Sequence, residues 1–284
     1  MVKKMVQNEW LESVNRVGDV CLSLSGALQV GLLGYFIFID QNESLYCELM
    51  DWPWSVKQSI IHVYAYLNMA LMLLLCSFMY ACYSEAMSEF LELHPIICAI
   101  VINVGAFVSM LFLHNLDYRT RYKTKMLFFV MHSMLAAPQM CRLGSDVCLQ
   151  SLGYTVQLLI LATGVALLAD KEFYKNLTYP LSKLNSIIFA ASICTSVIGN
   201  PAKNLIEIII FCINVHVGLP FFLWMYTVNT QMMLCHSKDE PENFDPVYIA
   251  SVMLVNLINI YLRLTTMTAL SMNLKKLNQL GTRW

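Results

Sequence analysis

Long apolar runs free of Asp, Glu, Lys and Arg alternate along the chain with short polar turns. Most runs approach the roughly 20 residues that a helix needs to cross a hydrocarbon core of roughly 30 Å. Eight runs stand out: Asp19 to Asp40, Lys57 to Glu85, Glu92 to Asp117, Lys125 to Arg142, Asp146 to Asp170, Lys183 to Lys203, Glu207 to Lys238, and a last one after Asp245 that Arg263 interrupts. Segments this apolar satisfy their backbone in lipid as helices, whereas isolated strands would leave amides unpaired. The pattern predicts an all-α, multi-pass membrane protein. The fourth run is the shortest and contains His132 and Pro138; a proline there breaks its last turn.

Composition supports this class. Of 284 residues 58% are hydrophobic and only 13% charged, and mean hydropathy is +0.58, outside the range of soluble domains. A net charge of −1 and the lack of basic clusters with interleaved aromatics argue against nucleic-acid binding. The ten cysteines are scattered, mostly within apolar runs, where a thiol is usually a small buried hydrophobe. No CxxC spacing occurs, so no zinc site is expected. Cys141 and Cys148 flank one short loop and could pair in an oxidising lumen. The first run also reads as a signal peptide, but it starts late, is long and lacks a small-residue cleavage pattern, so a retained helix is expected. An intramembrane enzyme would need a nucleophile with a base, a carboxylate dyad or HExxH. The helices offer none, so no catalytic residue, metal or cofactor is expected.

Polar residues inside the runs are the remaining candidates. Asn214 reads as a hydrogen-bonding residue between helices, a role worth about 1 kcal/mol. Glu207 stands at the start of its run, where snorkelling to the interface is the simpler account. His216 reads as a hydrogen-bonded packing residue ahead of a proton relay. Asn256, Asn259 and Arg263 recur at i, i+3 and i+7 and share one helical face. That face is expected to turn inward, with Arg263 either a fixed internal cation or snorkelling outward.

The stretch "VGLPFFLWMYTVNTQMML" followed by "MLVNLINIYLRL" resembles the last two helices of the Bax inhibitor (transmembrane Bax-inhibitor-motif, or lifeguard) family. There the penultimate helix commonly ends in Asp-Thr-Gln, and the last carries an Asp within a Leu-Tyr-Leu-Asp-Ile-Ile-Asn-like run. Shorter matches precede it in order: "GALQVGLL" around Gln29, "WPW" at 52 to 54 and "HPI" at 94 to 96. The resemblance implies a seven-helix bundle over 20–284 behind a cytosolic segment 1–19, with the short fourth run as an extra segment that lies in the interface or packs as a half-helix. It also implies residence in the endoplasmic reticulum or another internal membrane, and a role in apoptosis and intracellular calcium homeostasis. Calcium would be the permeant ion, and the bilayer and membrane proteins of the cell-death machinery the partners.

Asn229 and Asn256 stand where the resemblance places a proton-sharing carboxylate pair, and Thr230 and Gln231 complete the first motif. Burial and mutual repulsion would make two carboxylates titrate as a coupled unit. An amide donates and accepts hydrogen bonds without ionising, so the expected contact is a latch without a proton switch. Calcium prefers carboxylate oxygens. Unit charges about 4 Å apart interact by about 4 kcal/mol at an effective dielectric of about 20, so weak or absent calcium binding is expected at this pair. A non-conducting scaffold acting through helix contacts is the alternative function.

Sidedness follows from basic loops, which stay cytosolic when short. With a cytosolic start and a fourth run that does not cross, "DKEFYKNLTYPLSK" is cytosolic, while "DYRTRYKTK" and the Lys275, Lys276, Arg283 tail fall against the rule on the lumenal side. A crossing fourth run would bring the two loops to one side. On the first topology Asn42 is a lumenal sugar acceptor and Asn176 is not.

Overall fold

The computed structural model describes residues 2–38, 51–135, 137, 145–169, 205–281 and all of 184–195 except 186, 189 and 193. Among these residues no strand forms, and nine α-helices succeed one another: α1 Val2–Phe38, α2 Trp54–Tyr83, α3 Glu85–Leu93, α4 Pro95–Asn115, α5 Tyr122–Leu135, α6 Ser145–Leu168, α7 Leu205–Cys212, α8 Gly218–Asp239 and α9 Pro246–Gly281. A π-helical turn, Ile213–Val217, joins α7 to α8 without a break. The described residues between 184 and 195 are helical apart from the gaps.

Five helical stretches are long and apolar enough to cross a membrane: Glu12–Phe38, Trp54–Ala81, Val147–Leu168, Leu205–Asp239 and Pro246–Met272, with Ile100–Asn115 a shorter apolar helix. α1 is continuous through residue 19, so no break in the backbone separates 2–19 from the first apolar run. Asn42, Cys141, Asn176, Pro138 and the basic loop at 171–183 lie outside the described residues, as do the side chains of Lys275 and Lys276.

Local chemistry sets the boundaries. Pro53 and Pro95 precede or open α2 and α4, as a residue without an N–H suits a helix start. The Ser84 hydroxyl accepts from the Met87 amide at 3.4 Å and caps α3. Asp245 accepts from the amides of Val247 and Tyr248 at 3.1 and 3.0 Å, and Pro246 comes directly after it, which is a sequence-readable helix start.

α9 is the axis of the bundle. In its apolar stretch 61% of residues are buried, against 17% to 33% in the other four; a helix apolar on all sides belongs inside. Val247, Ala250, Met253, Leu254 and Ile260 are fully covered, and α2, α5, α6 and α8 pack round them.

The short fourth run, α5, is about 21 Å long at 1.5 Å per residue, and it is packed into the bundle. It lies antiparallel to α4: Leu135 meets Gly105, His132 Nδ1 lies 2.8 Å from Ser109 Oγ, Phe128 stacks on Phe112 at 4.3 Å, and Lys125 donates to the Leu116 carbonyl at 2.7 Å. Against α2, Ser77 donates to the Met134 carbonyl.

The Lys125 ammonium pairs with Asp245 and Arg119 donates to the Glu242 carbonyl, so the α4–α5 turn and the α8–α9 turn meet at one end of the bundle. The cause is the ion pair: Lys125 is 1% exposed, and a buried ammonium needs a carboxylate within reach.

Candidate functional site

The polar face foreseen on the last helix turns inward. Arg263, 5% exposed, does not snorkel. Its Nε donates to the Asn214 carbonyl at 2.8 Å. Nη1 donates to the Asn259 carbonyl at 3.0 Å and to Asn259 Oδ1 at 2.7 Å. Nη2 donates to Ser192 Oγ at 3.1 Å and to Asn214 Oδ1 at 2.9 Å. A guanidinium has five N–H donors, and each is matched. The Phe222 ring covers it, 4.4 Å from Cζ, a favourable cation–π geometry. Among the described residues Arg263 makes no ion pair with a carboxylate.

The backbone of α7 and α8 is shaped for this side chain. The π turn contains Asn214, whose carbonyl accepts from Arg263 Nε rather than serving only the helix; such turns often mark functional positions. Gly218, at the start of α8, lets the guanidinium lie against the helix: a Cβ there would collide with Arg263 Nε and stand 3.1 Å from Cδ. Asn214 is held in turn, accepting from Ser192 Oγ at 2.6 Å and donating to Thr195 Oγ1 at 2.7 Å. Arg263 therefore ties α9, the π turn and the helical residues near 192 into one neutral-walled cation cage.

Asn256 lies two helical turns before Arg263 on α9 and is 4% exposed. Asn229 is half-buried on α8 and forms part of the wall of a cavity of about 660 Å³ near the α8–α9 turn. The Nδ2 atoms of both residues are buried without hydrogen-bond partners, and no hydrogen bond joins one amide to the other. Each unmet amide donor costs about 1–3 kcal/mol. Thr230 donates to the Tyr226 carbonyl of its own helix at 2.8 Å. Gln231 Nε2 donates to the Ala169 carbonyl at 3.1 Å and so ties α8 to the end of α6.

His216 is 1% exposed, and neither ring nitrogen has a hydrogen-bond partner; it packs against Gly18 of α1, where a Cβ would stand 2.7 Å from Cε1. The Val14 backbone and the Asp19 carboxylate of α1 face it. Glu207 is half-buried in the first turn of α7. No group of three or more His, Cys, Asp or Glu side chains among the described residues is arranged to hold a metal ion.

Ser192, Gly218 and Lys125 were not singled out by the sequence as site residues. The π turn has no sequence signature, and Ser192 is one hydroxyl among many. A buried lysine at the edge of an apolar run did carry a signal: it calls for a carboxylate, and Asp245 flanks the last run.

Apolar helices of spanning length around a desolvated polar centre define an integral membrane protein of the helical-bundle class. The chain is similar to the growth hormone-inducible transmembrane protein of Rattus norvegicus, 24% identical over 277 residues, covering 93% of this chain and 78% of that protein. No family model matches the chain. No solved structure matches it either.

Proposed function

We propose that the chain is a Bax-inhibitor-like protein of the endoplasmic reticulum or another internal membrane, modulating cell-death sensitivity and internal calcium without a proton-gated calcium path of its own. The observation that supports this reading most is the chemistry of the centre. Positions 229 and 256 are amides, and two helical turns further along α9 stands the fully hydrogen-bonded Arg263 cation. Nothing in that set changes charge near neutral pH, since amides do not titrate and an arginine keeps its proton. A fixed positive charge also opposes calcium entry, and this favours the alternative of a non-conducting scaffold that acts through helix contacts with membrane partners.

The test is expression of the full chain in cultured cells, reading stored calcium and survival after a death stimulus. Both readouts are expected to shift, and Asn256→Leu, which changes no charge at the centre, is expected to shift them equally. A chain that reaches internal membranes yet moves neither readout would refute the proposal.

A further inference from the structure

The cavity of about 660 Å³ opens where the α4–α5 turn meets the α8–α9 turn, and a volume of this order suits a small amphiphile. Its wall towards the middle of the bundle carries Met232, Ile249 and Val252 beside the amide of Asn229, with Met232 51% exposed on the bundle surface. Its outer wall, from the turns, is charged. Arg119 supplies one cation, and Asp117, Glu242 and Asp245 supply carboxylates.

Lys125 already neutralises Asp245. With histidine counted as neutral, Asp117 and Glu242 stand against Arg119 alone. Asp117 accepts from the Thr120 hydroxyl at 2.7 Å and the Arg119 amide at 3.3 Å. Those bonds, the hydroxyl first, hold its carboxyl below the usual range, so it stays ionised. Arg119 spends one Nη2 donor on the Glu242 carbonyl, and its other donors face no acceptor among the described residues. The wall thus offers donors to an anion and, beside them, an excess of carboxylate for a cation, above an apolar slot. A headgroup bearing only negative charge fits this wall poorly, although exposed Arg121 and Lys123 outside the cavity attract anionic lipid to the neighbourhood.

We infer that the cavity binds the headgroup of a zwitterionic aminophospholipid from the surrounding bilayer. Its phosphate meets Arg119, its ammonium meets Glu242 and Asp117, and the start of an acyl chain lies along Met232, Ile249 and Val252. Bound there, the lipid bridges the α4–α5 and α8–α9 turns.

The test is native mass spectrometry of the full chain, stripped of lipid in detergent, titrated with phosphatidylethanolamine and with phosphatidylglycerol of the same acyl chains. Phosphatidylethanolamine is expected to bind about tenfold more tightly, a difference of about 1.4 kcal/mol. Ile249→Trp, which fills the slot, is expected to abolish the preference; Met232→Trp does the same from a surface position if the first variant fails to fold. Asp117→Asn with Glu242→Gln is expected to bring the two lipids to parity. Equal binding by the natural chain, tighter binding of phosphatidylglycerol, or a preference that survives a folded slot-filling variant would overturn the assignment.

Discussion

Exchanging Arg263 for lysine is expected to lower the unfolding free energy by about 3 kcal/mol, read by denaturant titration in mixed micelles. The exchange keeps the charge, so the loss reports the fork of donors. An ammonium offers three N–H groups where the guanidinium has five, and acceptors on Asn214, Asn259 and Ser192 would go unmet at about 1–3 kcal/mol each. Gly218→Ala attacks the same contact from the other side: its methyl collides with Nε, and overpacking of this kind costs about 1–3 kcal/mol. The two changes disturb one contact, so the double variant should lose less than the sum of the singles. A lysine variant as stable as the natural chain would mean that the cage does not hold the centre together.

The second large effect belongs to the ion pair at the bundle end. Asp245→Asn is expected to cost about 3–5 kcal/mol, the loss typical of removing one partner of a buried pair. Asparagine caps a helix about as well as aspartate, so the amides of Val247 and Tyr248 keep an acceptor. What is lost is the countercharge for Lys125, leaving a buried ammonium with only the Leu116 carbonyl and the Tyr248 ring, 5.9 Å away. Lys125→Met should cost less, because Asp245 is 21% exposed at its side chain and remains favourably placed at a helix N-terminus. Adding Lys125→Met to Asp245→Asn should therefore restore most of the stability. A double variant no better than Asp245→Asn would show that the pair is not the cause.

Where the sequence was legible, the reason was periodicity and charge spacing. Runs without charge marked α2, α6, the α7–α8 stretch and α9 closely, because a helix in lipid tolerates few charges along its length. The polar stripe at Asn256, Asn259 and Arg263 was readable because i, i+3 and i+7 must share a face. Its partners were not. The Arg263 cage depends on a π turn at 213–217 and on the missing Cβ of Gly218, features of backbone geometry that leave no trace in hydropathy. The fourth run was legible only as a short extra segment, because the contact that packs it into the bundle joins residues 125 and 245, far apart in the chain. His216 shows another side of this, a polar residue whose close fit against Gly18 of α1 joins positions nearly two hundred residues apart.

The seventh run closes on Asn229, Thr230 and Gln231, and the structure divides their labour. Gln231 and Thr230 spend their donors on carbonyls, while the Nδ2 groups of Asn229 and Asn256 are left without partners. A site assembled for a latch would have used those donors. Amides that keep the size of carboxylates and discard their charge fit a centre whose electrostatics are set once, by Arg263, rather than by protons.

The most direct measurement is calcium flux through the purified full chain in sealed vesicles between pH 6 and pH 8, with the Asn229→Asp, Asn256→Asp double variant beside it. A centre of uncharged amides beside one fixed cation predicts flux at the level of empty vesicles and no dependence on pH for the natural chain, with any pH dependence appearing only in the double variant. Steep, proton-dependent flux through the natural chain would contradict it.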